Sequence, residues 1–368
     1  MNLYSQLVES GELVLAGSRF PAIWLRDNCP CPCCTDPGSG QRLVDVLDIP
    51  NGVTVSAARP LDDSAVLVTY QPDGHQSEFS LDWLAAHAPD GYGPGDPRTA
   101  DGKQLWRAAD LDGRIPVWTW QRYLDDREPA LESVLRVGFA LLREVPVQPG
   151  TVTEVAETFG FVRETNYGRI FDVRVEPDPE NLANSAREIT PHTDNPYRDP
   201  VPTIQLLHCL SNAAGGGHTG LVDGFAVAEL LRQSHPDEFE VLTSTPRTFW
   251  YSGGGTELRT SQPLIHLDPR GRIRGVRFNN RSAGPLRAPH DEVERYYRAY
   301  RRWTRLLWDE QARLTLRMEP GDCLIFDNTR ILHARTAFTD VSERHLQGCY
   351  ADLDGLESTM EVFRCSKN

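Results

Sequence analysis

The sequence has no long apolar run. Nowhere in its 368 residues is there a stretch near the roughly 20 apolar residues needed to cross a bilayer. The N-terminus, MNLYSQLVESGELVLAG, has no basic segment followed by an apolar core, so it does not read as a secretory leader. The expected location is therefore cytoplasmic, without a membrane partner. Positive charge is also in short supply. Lys and Arg total 38 against 52 Asp and Glu, a formal net charge of -14. Such a chain repels a phosphate backbone, which sets nucleic acid aside as a partner. The same field mildly favours a small cationic ligand. There is no internal repeat and no low-complexity tract.

An even spread of cysteines is missing too. Four of the eight fall within six residues, Cys29, Cys31, Cys33 and Cys34; Cys209, Cys323, Cys349 and Cys365 stand alone. Adjacent cysteines rarely pair with each other, so a disulfide framework is not expected. A tight cluster in a cytosolic chain points to a metal instead.

What is present is a globular balance of 39% hydrophobic and 24% charged residues. Residues 1–95 read as a small β-rich unit, with short runs at Glu12–Leu15, Val44–Leu47 and Ala65–Val68 and a helix over Ser80–His87. The Pro-, Gly- and Asp-rich segment 88–102 reads as a linker. The second unit, 96–368, is mixed. Leu131–Arg136 and Val152–Phe159 read as helices, the latter with Thr151 as N-cap. Gly138–Val145 reads as a strand. Beyond Pro191 come Thr203–His208, Gly220–Val222, Leu264–Leu267, Ile273–Phe278 and Asp322–Phe326. One long helix, Asp291–Leu314, interrupts them, with Tyr296, Tyr297, Tyr300, Trp303 and Leu306 at helical spacing. So many short strands in one domain suggest a sandwich or jelly roll. The triglycines 215–217 and 253–255 read first as turns, with flexible segments near a cavity mouth as the alternative.

The sharpest motif is Pro191-His192-Thr193-Asp194. In a strand, alternate side chains share a face, so His192 and Asp194 project together and Thr193 points away. A third ligand must come from a distant strand. His333 is favoured; His208, His218 and His266 are rivals. Two histidines and a carboxylate on one face of an octahedron leave three open positions, the facial triad of non-haem Fe(II) oxygenases. Two of these suit a bidentate 2-oxo acid and one suits dioxygen. Arg344, eleven residues after His333, is placed to meet the far carboxylate of 2-oxoglutarate through two hydrogen bonds. Two other readings compete: a non-catalytic ligand-binding β-sandwich joined to a zinc module, and a hydrolytic zinc enzyme.

A wider set of motifs runs from about residue 20 to residue 355. It includes Trp24-Leu25-Arg26-Asp27-Asn28-Cys29-Pro30-Cys31, Ser77-Glu78-Phe79, Asp82-Trp83-Leu84, Gln205-Leu206-Leu207-His208-Cys209, Val222-Asp223-Gly224-Phe225, Phe278-Asn279-Asn280, Pro320-Gly321-Asp322 and Arg344-His345-Leu346. In this order they resemble the γ-butyrobetaine dioxygenases, within the larger family that includes taurine dioxygenase. The resemblance implies a double-stranded β-helix (jelly roll) catalytic domain with flanking helices. It also implies Fe(II), 2-oxoglutarate and dioxygen, ascorbate as a reductant, and a homodimer. The expected reaction is hydroxylation of a small trimethylammonium acid, γ-butyrobetaine to carnitine. Leu207 becomes an apolar wall for 2-oxoglutarate.

By the same resemblance, the N-terminal domain binds structural zinc through Cys29, Cys31, Cys34 and His75, with Cys33 competing with Cys34 for the third thiolate position. Tyr167, Phe171, Asn184 and Tyr350 fall at the positions of an aromatic cage, which holds a quaternary ammonium by its ring faces. Phe171 stands where a tryptophan is expected and Asn184 where a tyrosine is. Asn181, Asn195 and Asn280, with Arg281, are the candidates for the substrate's anionic end. The extra arginine suits a phosphonate, with its higher charge and third oxygen, so a 2-(trimethylammonio)ethylphosphonate dioxygenase is the alternative.

Overall fold

The computed structural model describes residues 7–88, 102–175, 184–213, 215–338 and 344–366. The chain divides into two compact units, Met1–Asp96 and Pro97–Asn368. All but the two ends of the expected linker, 88–102, lies outside the described residues. Among the described residues no helix is long and apolar enough to cross a membrane.

The first unit holds two three-stranded sheets. One joins Val8–Glu9, Glu12–Leu15 and Ser18–Phe20; the other joins Thr54–Pro60, Ala65–Gln71 and Gln76–Ser80. In the middle strand Val66, Val68 and Tyr70 are buried in alternation, the period of a half-buried strand. They meet Leu13, Phe20, Leu25, Phe79 and Leu84 in one small core. Ser80 caps the helix Leu81–Ala86 by accepting from the Trp83 amide. Val44–Leu47 is not the strand expected. Val46–Asp48 is a 3-10 turn, because Asp45 accepts from the Leu47 amide while Asp48 accepts from the Asp45 amide. Local side-chain bonding outcompetes the strand there.

The second unit is built on two antiparallel-rich sheets. The larger runs Phe171–Arg174, Arg344–Ala351, Ile204–Asn212, Cys323–Asp327, Phe139–Arg143, Val117–Thr119, with Val162–Arg163 on the flank of Arg344–Ala351. The smaller runs Ile189–His192, Ile331–Arg335, Thr219–Asp223, Arg313–Leu316. Leu141, Leu207, Leu324, Phe326 and Leu346 of the larger sheet form one core cluster with Leu221, Leu314, Leu316 and Ile331 of the smaller. This is the jelly-roll arrangement. Helices Glu128–Arg136, Thr151–Glu157 and Leu353–Ser366 contribute to a second core cluster with the larger sheet. A third core gathers helices Gly224–Ser234, Pro236–Ser244 and His290–Leu307.

Two sequence expectations shift here. Gly150, at φ +98°, is the N-cap of Thr151–Glu157, and Thr151 is its first residue. The long helix ends at Leu307, and Arg313–Leu316 is instead a strand paired with Thr219–Val222. Leu314 and Leu316 fit either a helical or a strand period; the open edge of the smaller sheet decides. Tyr296 and Trp303 are fully buried in the third core, while Tyr297 is 41% exposed. Both triglycine segments include turns with positive φ at Gly216, Gly217, Gly254 and Gly255.

One buried ion pair ties the second unit together. Arg330, fully buried, donates to Asp223 at 2.7 and 3.1 Å and to the carbonyls of Arg136 and Gln104. Asp223 also caps the helix after it through the Phe225 and Ala226 amides. Asp223→Ala leaves that guanidinium unpaired and should cost about 3–5 kcal/mol, read as a lowered urea midpoint of the full chain.

Candidate active site

Strand register assembles the site. Ile189–His192 pairs antiparallel with Ile331–Arg335, and His192 lies directly opposite His333. Their ring centroids are 4.1 Å apart. The strand stops at His192, so Asp194 sits in the turn after it rather than on the strand as expected. Thr193 does point away: its amide donates to the Phe278 carbonyl at 2.7 Å, and its hydroxyl accepts from the Phe278 amide at 3.0 Å. Asn328 pins the turn. Its Oδ1 accepts from the Asp194 amide at 2.8 Å, and its Nδ2 donates to the Asp194 carbonyl at 3.1 Å.

Asp194 Oδ1 lies 3.3 Å from His192 Nε2, and Oδ2 lies 4.0 Å from His333 Nε2. The three ligand atoms lie within 4.8 Å of one another. Thr190 fixes the His192 ring, its carbonyl 2.9 Å from Nδ1. Gln205 Nε2 and the Tyr350 hydroxyl donate to Asp194 Oδ2 at 2.8 and 3.0 Å. Burial opposes ionisation of Asp194, but the His192 hydrogen bond and the charges of His333, His192 and Arg281 outweigh it and hold the carboxyl well below its usual range. Burial lowers His192, with Arg281 adding to it, and burial beside His192 pulls His333 down to about 3. Two neutral imidazoles and a carboxylate are the protonation states a divalent cation needs. The donor set fits Fe(II).

These residues sit in a cavity of about 440 Å³, also bordered by Leu207, Arg281, Arg335 and Arg344. Arg344 is 5% exposed, and no acidic side chain among the described residues pairs with it. Its guanidinium lies 5.5 Å from the Phe338 ring centroid. Gly217 makes room for it, since a Cβ there would approach Arg344 Nε to 3.0 Å at a φ of +63°. Arg335 is held by the carbonyls of Ser185 and Arg187. Arg281 is fastened by Asn279, whose Oδ1 accepts from its amide at 3.1 Å; its Nη1 is buried without a partner.

Tyr167, Phe171, Asn184, Asn195 and Tyr350 all border the cavity. Phe171 and Tyr350 lie 5.0 Å apart, and Gly348 accommodates Phe171, since a Cβ there would come within 2.3 Å of it. Asn195 adopts φ +52°, a region Asn tolerates better than most residues. Its Oδ1 accepts from Tyr197, and its Nδ2 is buried and unpartnered. Asn181 lies outside the described residues. Asn280 is exposed and not at the cavity; Asn279, one residue earlier, takes that place. Sequence reasoning also missed Gln205, Tyr197, Tyr251 and Arg335. Gln205 was visible in the Gln-Leu-Leu-His-Cys motif; the others carry no local signal.

The rival histidines are not part of the cluster. His208 lies in alternation with Ile204 and Leu206, which belong to the helix-side core, while Gln205 and Leu207 face the cavity. In the first unit, Cys29, Cys31, Cys34 and His75 converge. Their Sγ atoms lie 3.2, 3.6 and 3.7 Å from His75 Nε2, spacing that suits a tetrahedral zinc site. Cys33 is exposed and not part of the cluster. Ser77 and Arg26 donate to Cys29 and Cys34 at 2.8 and 3.2 Å.

Two family models match the chain. Residues 97–350 match "Taurine catabolism dioxygenase TauD, TfdA family", and residues 15–85 match "Gamma-butyrobetaine hydroxylase-like, N-terminal". The chain belongs to the TauD/TfdA dioxygenase family. It is 37% identical over 353 residues to a γ-butyrobetaine dioxygenase of Pseudomonas sp. (strain AK-1), covering 94% of this chain and 91% of the relative. A human γ-butyrobetaine dioxygenase is 31% identical, covering 94% and 92%. A trimethyllysine dioxygenase of Meyerozyma guilliermondii is also 31% identical, covering 96% and 92%. The protein is thus a dioxygenase that depends on Fe(II) and 2-oxoglutarate.

His266 is a half-buried histidine apart from the triad. Burial, aided by the Arg277 charge, pulls it down to about 4. The unfolded chain binds that proton near pH 6.5, so His266 removes stability as pH falls from 6.5 toward 4. His266→Gln should flatten the acid loss of the urea midpoint between pH 7 and 5. An unchanged slope would assign the loss to other groups.

Proposed function

We propose that this dioxygenase hydroxylates a small trimethylammonium acid, with γ-butyrobetaine as substrate and carnitine as product. The observation that carries the reading is a single cavity. It combines the His-Asp-His triad, aromatic rings at three of the four cage positions, and unpartnered buried donors at Asn195 and Arg281. The substrates named by its relatives, γ-butyrobetaine and trimethyllysine, share the trimethylammonium group.

In this reading His192, Asp194 and His333 hold Fe(II). With 2-oxoglutarate bound, the iron supplies the oxidising chemistry that uses dioxygen to place a hydroxyl on a C–H carbon as 2-oxoglutarate becomes succinate and carbon dioxide. Arg344 pairs with the far carboxylate of 2-oxoglutarate, and Leu207 packs against its chain. Gln205 and Tyr350 keep Asp194 oriented. Tyr167, Phe171 and Tyr350 face the trimethylammonium group, and Asn195, Asn279 and Arg281 meet the anion. Residues 1–95 form a zinc module held by Cys29, Cys31, Cys34 and His75. Four protein ligands leave no open position, so this zinc is structural. The enzyme works in the cytoplasm as a homodimer, a state that light scattering reads directly.

One observation favours a second substrate. Arg281 is a half-buried cation whose buried Nη1 has no partner, and a phosphonate brings more charge and a third oxygen to it. The deciding assay is succinate release under air with Fe(II), ascorbate and 2-oxoglutarate. Strong stimulation by γ-butyrobetaine with carnitine formed supports the first reading. Stimulation by 2-(trimethylammonio)ethylphosphonate alone transfers the assignment to the phosphonate.

His192→Ala and Asp194→Ala should each abolish substrate-dependent succinate release in folded protein; activity kept by both would refute the ligand assignment. Arg344→Met should raise the 2-oxoglutarate KM about 10–100-fold, for a lost charged hydrogen-bond pair of about 1.5–3 kcal/mol. Elemental analysis of purified protein should find one zinc per chain, lost in Cys29→Ser with a lower unfolding midpoint.

A further inference from the structure

The cage positions of this chain fall one ring short, because Asn184 has no π-face. Another ring stands at the same cavity. The hairpin of Arg247–Gly253 and Thr256–Gln262 carries Tyr251 opposite Leu258. Along its first strand Arg247 and Phe249 are buried, while Trp250 is 46% exposed. Alternation turns Tyr251 to the same face as Phe249. Its ring stacks on Tyr197 at 5.1 Å and 27°, and meets Tyr167 edge-on at 5.7 Å and 65°. Those two partners are themselves fixed: the Tyr197 hydroxyl is 2.8 Å from that of Tyr167 and donates to Asn195 at 2.7 Å.

The hairpin is fitted to this ring. A Cβ at Gly253 would lie 2.8 Å from the Tyr251 hydroxyl oxygen and 3.1 Å from Cζ. Real Cβ atoms essentially never approach that closely, so glycine at 253 lets the ring lie where it does. Tyr251 also differs from a plain core residue: it is only half-buried and borders the cavity. Arg281 supplies one positive pole of the cavity, its charge felt with Asp194 and the hydroxyls of Tyr167, Tyr197 and Tyr350. A zwitterion that places its anion at that pole needs a neutral, electron-rich surface for its other end. An aromatic face provides one without a competing counter-charge.

We propose that Tyr251 is a specificity-determining residue: its ring supplies the aromatic wall that Asn184 cannot, and recognises the quaternary ammonium of the substrate. The inference rests on the trimethylammonium reading above. It names a residue from outside the four cage positions, on a hairpin that contributes nothing to the metal triad.

The test compares γ-butyrobetaine with 5,5-dimethylhexanoate, in which carbon replaces the charged nitrogen at nearly the same size. Binding is measured by calorimetry on full-length protein without oxygen, and KM and kcat are measured under air. Tyr251→Leu keeps bulk but removes the π-face; Tyr251→Phe keeps the ring. Tyr251→Leu should weaken γ-butyrobetaine binding about tenfold, leave 2-oxoglutarate KM unchanged, and remove most of the preference over the analogue that lacks the cationic end. Tyr251→Phe should retain that preference. Gly253→Ala should shift binding in the same direction by displacing the ring, and less so in the Tyr251→Phe background, where the clashing oxygen is gone. If the wild type prefers γ-butyrobetaine and folded Tyr251→Leu keeps that preference, the role of Tyr251 is refuted while the substrate reading stands. If the wild type does not distinguish the two compounds, the trimethylammonium reading falls and takes the inference with it.

Discussion

The catalytic unit depends on one register: His192 opposite His333 across two antiparallel strands. A one-residue slip in either strand would turn its histidine to the other face. Asp194 then has to reach the same point from beyond the strand end. Asn328 makes that possible by bonding both the amide and the carbonyl of Asp194. Asn328 directly follows the central strand Cys323–Asp327, so the carboxylate is tied to a strand of the larger sheet while its histidines belong to the smaller one. The metal site therefore sits on rigid elements, which is what precise positioning requires.

The charges of the cavity follow from this geometry. Asp194 is the only acidic side chain of the triad, whereas Arg281, Arg335 and Arg344 border the same space. Arg335 is absorbed by backbone carbonyls, and Arg344 and Arg281 keep unpartnered nitrogens. Buried cations of this kind are costly unless an anion completes them. A dicarboxylic co-substrate and an acidic substrate are suited to do so. The overall charge of -14 gives no hint of this local balance, in which three arginines face Asp172 and Asp194 around one cavity. Around that positive centre the aromatic side chains come from four separate places: the segment before the first site strand, the turn that follows it, the hairpin at Tyr251, and the strand that carries Tyr350.

Much of the site was legible in the sequence because its chemistry depends on residue types at short spacing. His192-Thr193-Asp194, the cysteine cluster and Arg344 after His333 are such patterns, and each falls at a converged site or at the cavity. The errors arose where the local pattern was ambiguous. Leu314 and Leu316 fit the end of a helix or an inward strand face, and only pairing with Thr219–Val222 decided it. Asn279 and Asn280 are neighbours, and the sequence cannot say which one turns inward. Val44–Leu47 has strand composition, but Asp45 and Asp48 bond the local backbone instead.

The sequence by itself determined the metal-binding chemistry and the family to which the motifs belong, because these rest on residue identity and order. The tertiary structure alone decided which of four histidines completes the triad, and that Cys34 rather than Cys33 faces His75. It also decided that Tyr197 and Tyr251 stand beside Tyr167. Each of those choices depends on which side chains meet between segments far apart in the chain. Contacts of that kind leave no mark on local spacing.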